Sequence, residues 1–212
     1  MVGQQVHVGR YDAFAGFSFF STPKSNPFER GLNGEFGVNL TSWISVGGDF
    51  SVFNGHSSLT PSDLTPSQRA RLTPFLAVLP PGTALSVPYD AATYTFSAGP
   101  QVNIRKLAAL TFFVRPALGA FHQTVTARPD SQTTTIIVAT LIGSSGRTSD
   151  TAVFYGFGGG LDINVSRHLA IRMASDFVHV NPFQGLLDGG YNLVRFSVGP
   201  TFRWGKNVAD RH

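Results

Sequence analysis

The sequence predicts an all-β fold: a closed antiparallel up-and-down transmembrane β-barrel of about eight strands, with short turns at one end and long loops at the other. Three observations predict it. Hydrophobicity alternates with period two along most of the chain, charge is segregated to one of the two resulting faces, and connections alternate between short and long. The 212 residues suffice for one such domain. Only 13% of residues are charged, where about 25% is usual, so something other than charge must cover the surface.

The first strand, Tyr11 to Phe20, sets Tyr11, Ala13, Ala15, Phe17 and Phe19 opposite Asp12, Phe14, Gly16 and Ser18. The second sets Leu32, Phe36, Val38 and Leu40 opposite Asn33, Glu35, Gly37 and Asn39. In the third, Ile44 to Phe53, Ile44, Val46, Phe50 and Val52 oppose Ser45, Gly47, Asp49 and Ser51. The fourth, Thr93 to Ile104, opposes Tyr94, Phe96, Ala98, Val102 and Ile104 to Thr95, Ser97, Gly99, Gln101 and Asn103. Downstream, Leu110, Phe112, Val114 and Leu118 oppose Phe113, Arg115, Ala117 and Gly119. Val153, Tyr155, Phe157, Leu161 and Ile163 then oppose Gly156, Gly158, Gly160, Asp162 and Asn164. The last two strands oppose Leu169, Ile171, Met173 and Phe177 to Arg172, Ala174 and Asp176, and Val194, Phe196, Val198, Phe202 and Trp204 to Arg195, Ser197, Gly199, Thr201 and Arg203.

Every strand charge therefore lies on the second face: Asp12, Glu35, Asp49, Arg115, Asp162, Arg172, Asp176, Arg195 and Arg203. That face is otherwise mostly glycine, alanine, serine and asparagine, which suits the narrow interior of a barrel of about eight strands better than a surface in water. An arginine turned to lipid at mid-depth would cost roughly 2 to 4 kcal/mol. Buried charges must pair, so these nine are expected to form a lumenal ion-pair network. It reads either as a plug or as a gate for small ions. Ten residues at about 3.3 Å each, tilted near 40°, cover about 25 Å, the height of the apolar band in outer-membrane barrels.

Thr41 to Trp43, Arg105 to Ala109 and Val165 to His168 are short connections, whereas Thr22 to Gly31, Asn54 to Ala92, Val125 to Asp150 and Asn181 to Gly190 are long. Short turns belong to the periplasmic end, which divides the chain into a periplasmic segment 1–10, a barrel 11–204 and a tail 205–212. Tyr11, Trp43 and Trp204 then fall at the periplasmic interface, where amphipathic rings are favoured. Met1 to Arg10 has no apolar core of a signal peptide. Pro100, Pro116 and Pro200 each remove a ladder donor inside a strand, and bulges are expected there.

Other chemistries find little support. There is no cysteine, which excludes disulfides and thiolate chemistry, and no run of about 18 apolar residues for a helical span. A net charge of +4 from scattered basic residues supplies no stripe for nucleic acid, so none is expected as a partner. The six histidines show no His-x-x-x-His spacing, and Gly158 to Gly160 lies inside a strand rather than in a phosphate-cradling loop. No cofactor or metal is implied.

The long loops are the stronger candidates for function. Thr65-Pro66-Ser67-Gln68 reads as a helix cap followed by Leu72, Phe75, Leu76, Val78 and Leu79, with Pro74 interrupting the helix early. The threonine-rich stretch Thr133 to Ile142 reads as strands extended beyond the membrane. Loops 54–92 and 125–150 are expected either to fold over the barrel mouth or to dock a protein partner.

The final strand, Ser197-Val198-Gly199-Pro200-Thr201-Phe202-Arg203-Trp204, carries a polar residue, a glycine two later, and aromatics three and five beyond that glycine. Here the chain resembles the small outer-membrane β-barrels of the OmpA/OmpX type, from about Tyr11 to Trp204. The resemblance implies a bacterial outer-membrane location among lipid and lipopolysaccharide, with Ser197, Gly199, Phe202 and Trp204 read by the barrel-assembly machinery. The chain departs from the pattern by continuing through Gly205 to His212. Phe96-Ser97-Ala98-Gly99-Pro100 is echoed by Phe196-Ser197-Val198-Gly199-Pro200. A few barrels of this class modify lipid A or phospholipid with histidine beside serine or carboxylate, which makes His122 and His179 the candidates here. In His179-Val180-Asn181, however, Asn181 stands where the serine nucleophile would be. The leading expectation is a non-enzymatic barrel for envelope structure or surface interaction; a lipid-modifying enzyme and a narrow channel are the alternatives. A soluble lipocalin-like carrier would need the two faces reversed.

Overall fold

A computed structural model describes residues 7–21, 28–77 and 85–209. Eight antiparallel strands follow one another around a closed barrel: β1 (Gly9–Ser21), β2 (Phe28–Asn39), β3 (Ile44–Leu59), β4 (Val87–Ile104), β5 (Leu110–Ala127), β6 (Arg147–Asn164), β7 (Leu169–Val180) and β8 (Tyr191–Asn207). Closure comes from β8 pairing with β1, through Ser21↔Val194 to Gly9↔Asn207. The strands thus run slightly past the expected barrel limits at both ends, taking in Gly9, Arg10 and 205–207. Residues 1–6 and 210–212 lie outside the described residues.

The alternating residues divide as their chemistry requires. Phe17 and Phe157 are each 67% exposed on the outside, in a belt with Leu32, Phe50, Phe96, Leu118, Val153 and Phe202. Water would not tolerate so continuous an apolar surface, whereas lipid requires it. At the periplasmic end Tyr11 packs on Trp204 at 5.9 Å and on Phe36 at 6.2 Å between ring centroids, an amphipathic girdle. At the other end the outward positions turn polar with Arg30, Asn54, Thr151 and Asn192, which mark the upper edge of the belt. Glu29, which lies against Gly55, is one residue beyond Arg30 on the outer side and above the ring pairs Tyr94–His122 and Tyr155–His179 that line the upper interface.

Two of the three short turns coincide with the expected ones and the first also takes in Leu40, but the strands climb further on the outer side than the sequence pattern suggested. β3 to β6 are 16 to 18 residues long against 12 or 13 in β1, β2 and β7, so one wall of the barrel rises above the rest. On this wall sit two helices, α1 (Pro66–Leu76) and α2 (Gln132–Ile142). The second corrects the expectation of strands over Thr133 to Ile142. Threonine and isoleucine favour strands in isolation, yet the buried Thr134, Ile137 and Val138 recur at helical spacing. Ser131 accepts from the Thr134 backbone N–H at 3.2 Å and donates its own N–H to Thr134 Oγ1 at 3.0 Å, a reciprocal cap. Gly143, at φ +90°, ends the helix.

In α1 the Thr65 hydroxyl accepts from Gln68 N at 3.4 Å, with Pro66 in the first turn. Pro74 does not break this helix early; it falls in the last turn, two residues before the end, where little of the ladder remains to be lost. Leu72 is buried and Phe75 packs beside it, whereas Val78 and Leu79 lie outside the described residues. Leu64, Leu72 and Ile137 form a small core with Leu59, Leu85, Leu141 and Leu186, so the two helices fold over the mouth. The segment before β8 joins them through Thr65 N to Leu186 O at 3.0 Å and Gln68 Nε2 to Gly185 O at 3.1 Å.

The prolines correct the expectation of bulges. β4 and β5 keep a single register, but the ladder opens between Ser97↔Gly119 and Val102↔Val114, where that register sets Pro100 opposite Pro116. β1 and β8 open likewise between Phe14↔Thr201 and Phe17↔Val198, opposite Pro200. On its other edge each proline stays paired, with Val46, Phe157 and Ile171 respectively. Two missing donors concentrated in one gap need no inserted residue.

Candidate functional site

The lumen has two halves of opposite chemistry. In the periplasmic half, inward positions of seven strands converge into one strictly alternating chain of charges. Asp49 accepts from Arg195 Nη1 at 2.6 Å; Arg195 also donates to Asp176 at 2.7 and 2.9 Å. Asp176 takes Nε and Nη2 of Arg115 at 3.1 and 3.2 Å, and Arg115 reaches Glu35 at 3.0 Å. Glu35 then binds Arg172 at 2.7 Å, and Arg172 grips Asp162 in a two-pronged fork at 2.8 and 3.0 Å. Arg203 links Asp162 to Asp12, the latter an ion pair at 3.4 Å. All nine sequence-predicted lumenal charges lie in this chain, which begins and ends on an acid.

A tenth charge, not singled out from the sequence, extends it. Arg105 is buried at the periplasmic end and donates to Asn39 Oδ1 at 3.0 Å, while Asn39 donates to Asp12 Oδ2 at 2.8 Å. Five acids thereby meet five bases. Strand parity carried the signal, because Arg105 is in phase with the inward Asn103. Phe113 and Phe14 flank Arg172, with ring centroids 4.7 and 6.0 Å from its guanidinium carbon. The absent side chains of Gly158 and Gly160 leave the room that Asp176 and the Phe113 ring fill.

The outer half adds an apolar layer to an inner face expected to be mostly small and charged. Phe20, Phe53, Phe121, Phe154, Val180 and Leu193 form a buried layer across the lumen above the charges, Phe20 lying 5.2 Å from Phe53 and 6.2 Å from Phe121. Above it Glu29, 2% exposed, accepts weakly from Gln123 Nε2 at 3.4 Å, and Gln123 also donates to Thr93 at 3.0 Å. Burial pushes the Glu29 carboxyl up to about 7, against a hydrogen bond from Thr93 that favours its ionised form. Between this floor and the helices lies a cavity of about 250 Å³.

His122 and His179 stand on the outer rim rather than in either half. His122 Nδ1 lies 2.7 Å from Thr151 Oγ1, and His179 Nδ1 lies 2.9 Å from Asn192 Oδ1. Neither of these bonds supplies a serine or a carboxylate. In β8 the Ser197 hydroxyl is buried 2.9 Å from that of Ser18, Gly199 lies against the Ala15 and Gly16 backbone, and Phe202 and Trp204 face outward.

A closed eight-stranded barrel with an apolar outer belt and a charge-filled core has the fold of the small outer-membrane β-barrels of the OmpA/OmpX type. No family model matches the chain, and no curated protein matches it in sequence. Among solved structures it is similar to the attachment invasion locus protein Ail of Yersinia pestis, in complex with the heparin analogue sucrose octasulfate, with 17% identity, 93% of this chain and 99% of that one covered, and a TM-score of 0.52. It is also similar to Neisserial surface protein A, with 10% identity, 92% and 96% coverage and a TM-score of 0.55, and to OprG of Pseudomonas aeruginosa, with 9% identity, 96% and 100% coverage and a TM-score of 0.55. At these identities the likeness is one of fold.

Proposed function

We propose that this chain is a non-enzymatic outer-membrane protein, closed to solutes, that serves envelope structure or surface interaction through its outer face. The observation that carries the reading is the double closure of the lumen: a continuous ion-pair chain in one half and a layer of buried aromatic and aliphatic side chains in the other. The charges act as a plug, since buried paired charges hold their geometry and a free path for ions would break the pairs. Function then falls to the loops between β3 and β4 and between β5 and β6, which offer the contact surface for a protein partner. Ser197, Gly199, Phe202 and Trp204 fit a strand presented to the barrel-assembly machinery, and the outer belt fits lipid and lipopolysaccharide as surroundings.

The rim histidines supply the test. Protein refolded into vesicles of phospholipid and lipopolysaccharide should release no fatty acid above protein-free controls. Protein-dependent release that disappears in His179→Ala would overturn the non-enzymatic reading.

A further inference from the structure

The cavity beneath the helical cap has a chemistry that neither a plug nor a membrane anchor requires. Its walls are apolar, supplied by Leu59, Val87, Val125, Leu141 and Leu186, while its floor carries the Glu29 carboxyl. Among the described residues, its charged lining is entirely acidic, Glu29 being joined by Asp63 and Asp188. Asp63 caps the turn at Thr60, and Asp188 pairs with Arg69 at 3.4 Å. Glu29 is different. Thr93 and the long bond from Gln123 to Oε1 serve one side of its carboxyl, whereas among the described residues Oε2 has no hydrogen-bond partner. A buried carboxylate oxygen with no donor is unfavourable in an empty site and is satisfied by a ligand that brings one. A side chain at Gly55 would collide with the Glu29 methylenes, so the carboxyl keeps its place only because that position is glycine.

We propose that this cavity binds a small organic ammonium with a compact apolar body, the ammonium donating to Glu29 and the body resting against the aliphatic walls. A volume near 250 Å³ lies just under the roughly 300 Å³ at which small-molecule pockets begin, which favours a compact amine over a long chain or a peptide. Burial of the pair in a low-dielectric site makes the charge decisive: a neutral or anionic molecule of the same shape gains the walls without the ion pair. The inference rests on the reading of the outer face as the working surface.

The titration of Glu29 adds a signature. An ammonium needs the ionised carboxylate, so affinity should rise as pH passes upward through about 7. The other titratable groups around Glu29 are Tyr89 on β4, Tyr191 on β8, Asp150 on β6, and Asp63 and Asp188 in the cap. Both tyrosines are pushed upward by burial and stay neutral across this window.

The test is calorimetric titration of the full chain in lipid nanodiscs with benzylammonium, benzyl alcohol and phenylacetate, against empty nanodiscs. Benzylammonium should bind, more tightly at pH 8 than at pH 6, and at least about tenfold more tightly than the other two. Glu29→Gln should lose at least about tenfold for benzylammonium and change benzyl alcohol little. Ala127→Phe, which fills the cavity from its outer wall without touching Glu29, should abolish binding of the amine; this variant keeps the test available if Glu29→Gln fails to fold. No protein-dependent binding, equal binding of the three probes, or amine binding unchanged by either variant would overturn the proposal. Fatty-acid release or an open conductance would instead overturn the reading of the barrel and leave the ligand site standing.

Discussion

The two halves of the lumen close the same tube by opposite means. The periplasmic half is sealed by ten charges that depend on one another, each acid between two bases or at an end of the chain. The outer half is sealed by packed rings that are individually replaceable. A charge network is weakened beyond the site of a deletion because removing one member leaves each neighbour buried with a single partner and an uncompensated charge in the chain; an apolar layer loses the contacts of the residue removed and gains a cavity there, but no charge is left uncompensated. Rigidity thus resides at the periplasmic end, and the outer half carries a cavity without endangering the barrel.

The largest expected effect is that of Asp176→Ala, which takes the shared partner from Arg115 and Arg195 and leaves them only Glu35 and Asp49 respectively. Unfolding in lipid vesicles by urea should register a loss of about 3 to 5 kcal/mol. A loss under about 1 kcal/mol would mean that the network is a surface-like set of weak pairs and that the halves do not differ. The smallest effect belongs to the cap. Thr65→Ala removes the bond from the Thr65 hydroxyl to Gln68 N, at about 1 kcal/mol, and should raise amide exchange in α1 while leaving the urea midpoint of the barrel unchanged. A midpoint that moved with it would show cap and barrel to be one cooperative unit.

Much of this was legible from the sequence because lipid imposes a severe rule on strand parity. Each lipid-facing position must be apolar, so the nine lumenal charges could be placed by counting in twos, and the three tight turns followed from where the alternation stopped. What was missed lies beyond the point where lipid enforces that rule. Above the belt, strands continue with polar residues outward and apolar ones inward, so Phe20, Phe53, Phe121 and Leu193 gave no contrast with their surroundings. Glu29 was hidden for the same reason, although it is in phase with Asn33 and Glu35. Over 133–142 β-branched composition outweighed a helical spacing that tertiary packing against α1 made decisive. The prolines showed that a donor was missing, but only the register revealed that two of them share one gap.

On the proposed reading the tube is closed twice, independently. Single-channel recording in planar bilayers, on wild type and on Phe121→Ala, tests it most directly. Neither should show a steady conductance, because opening the aromatic layer still leaves the ion-pair chain intact below it. A large, steady conductance from the wild-type protein would contradict it.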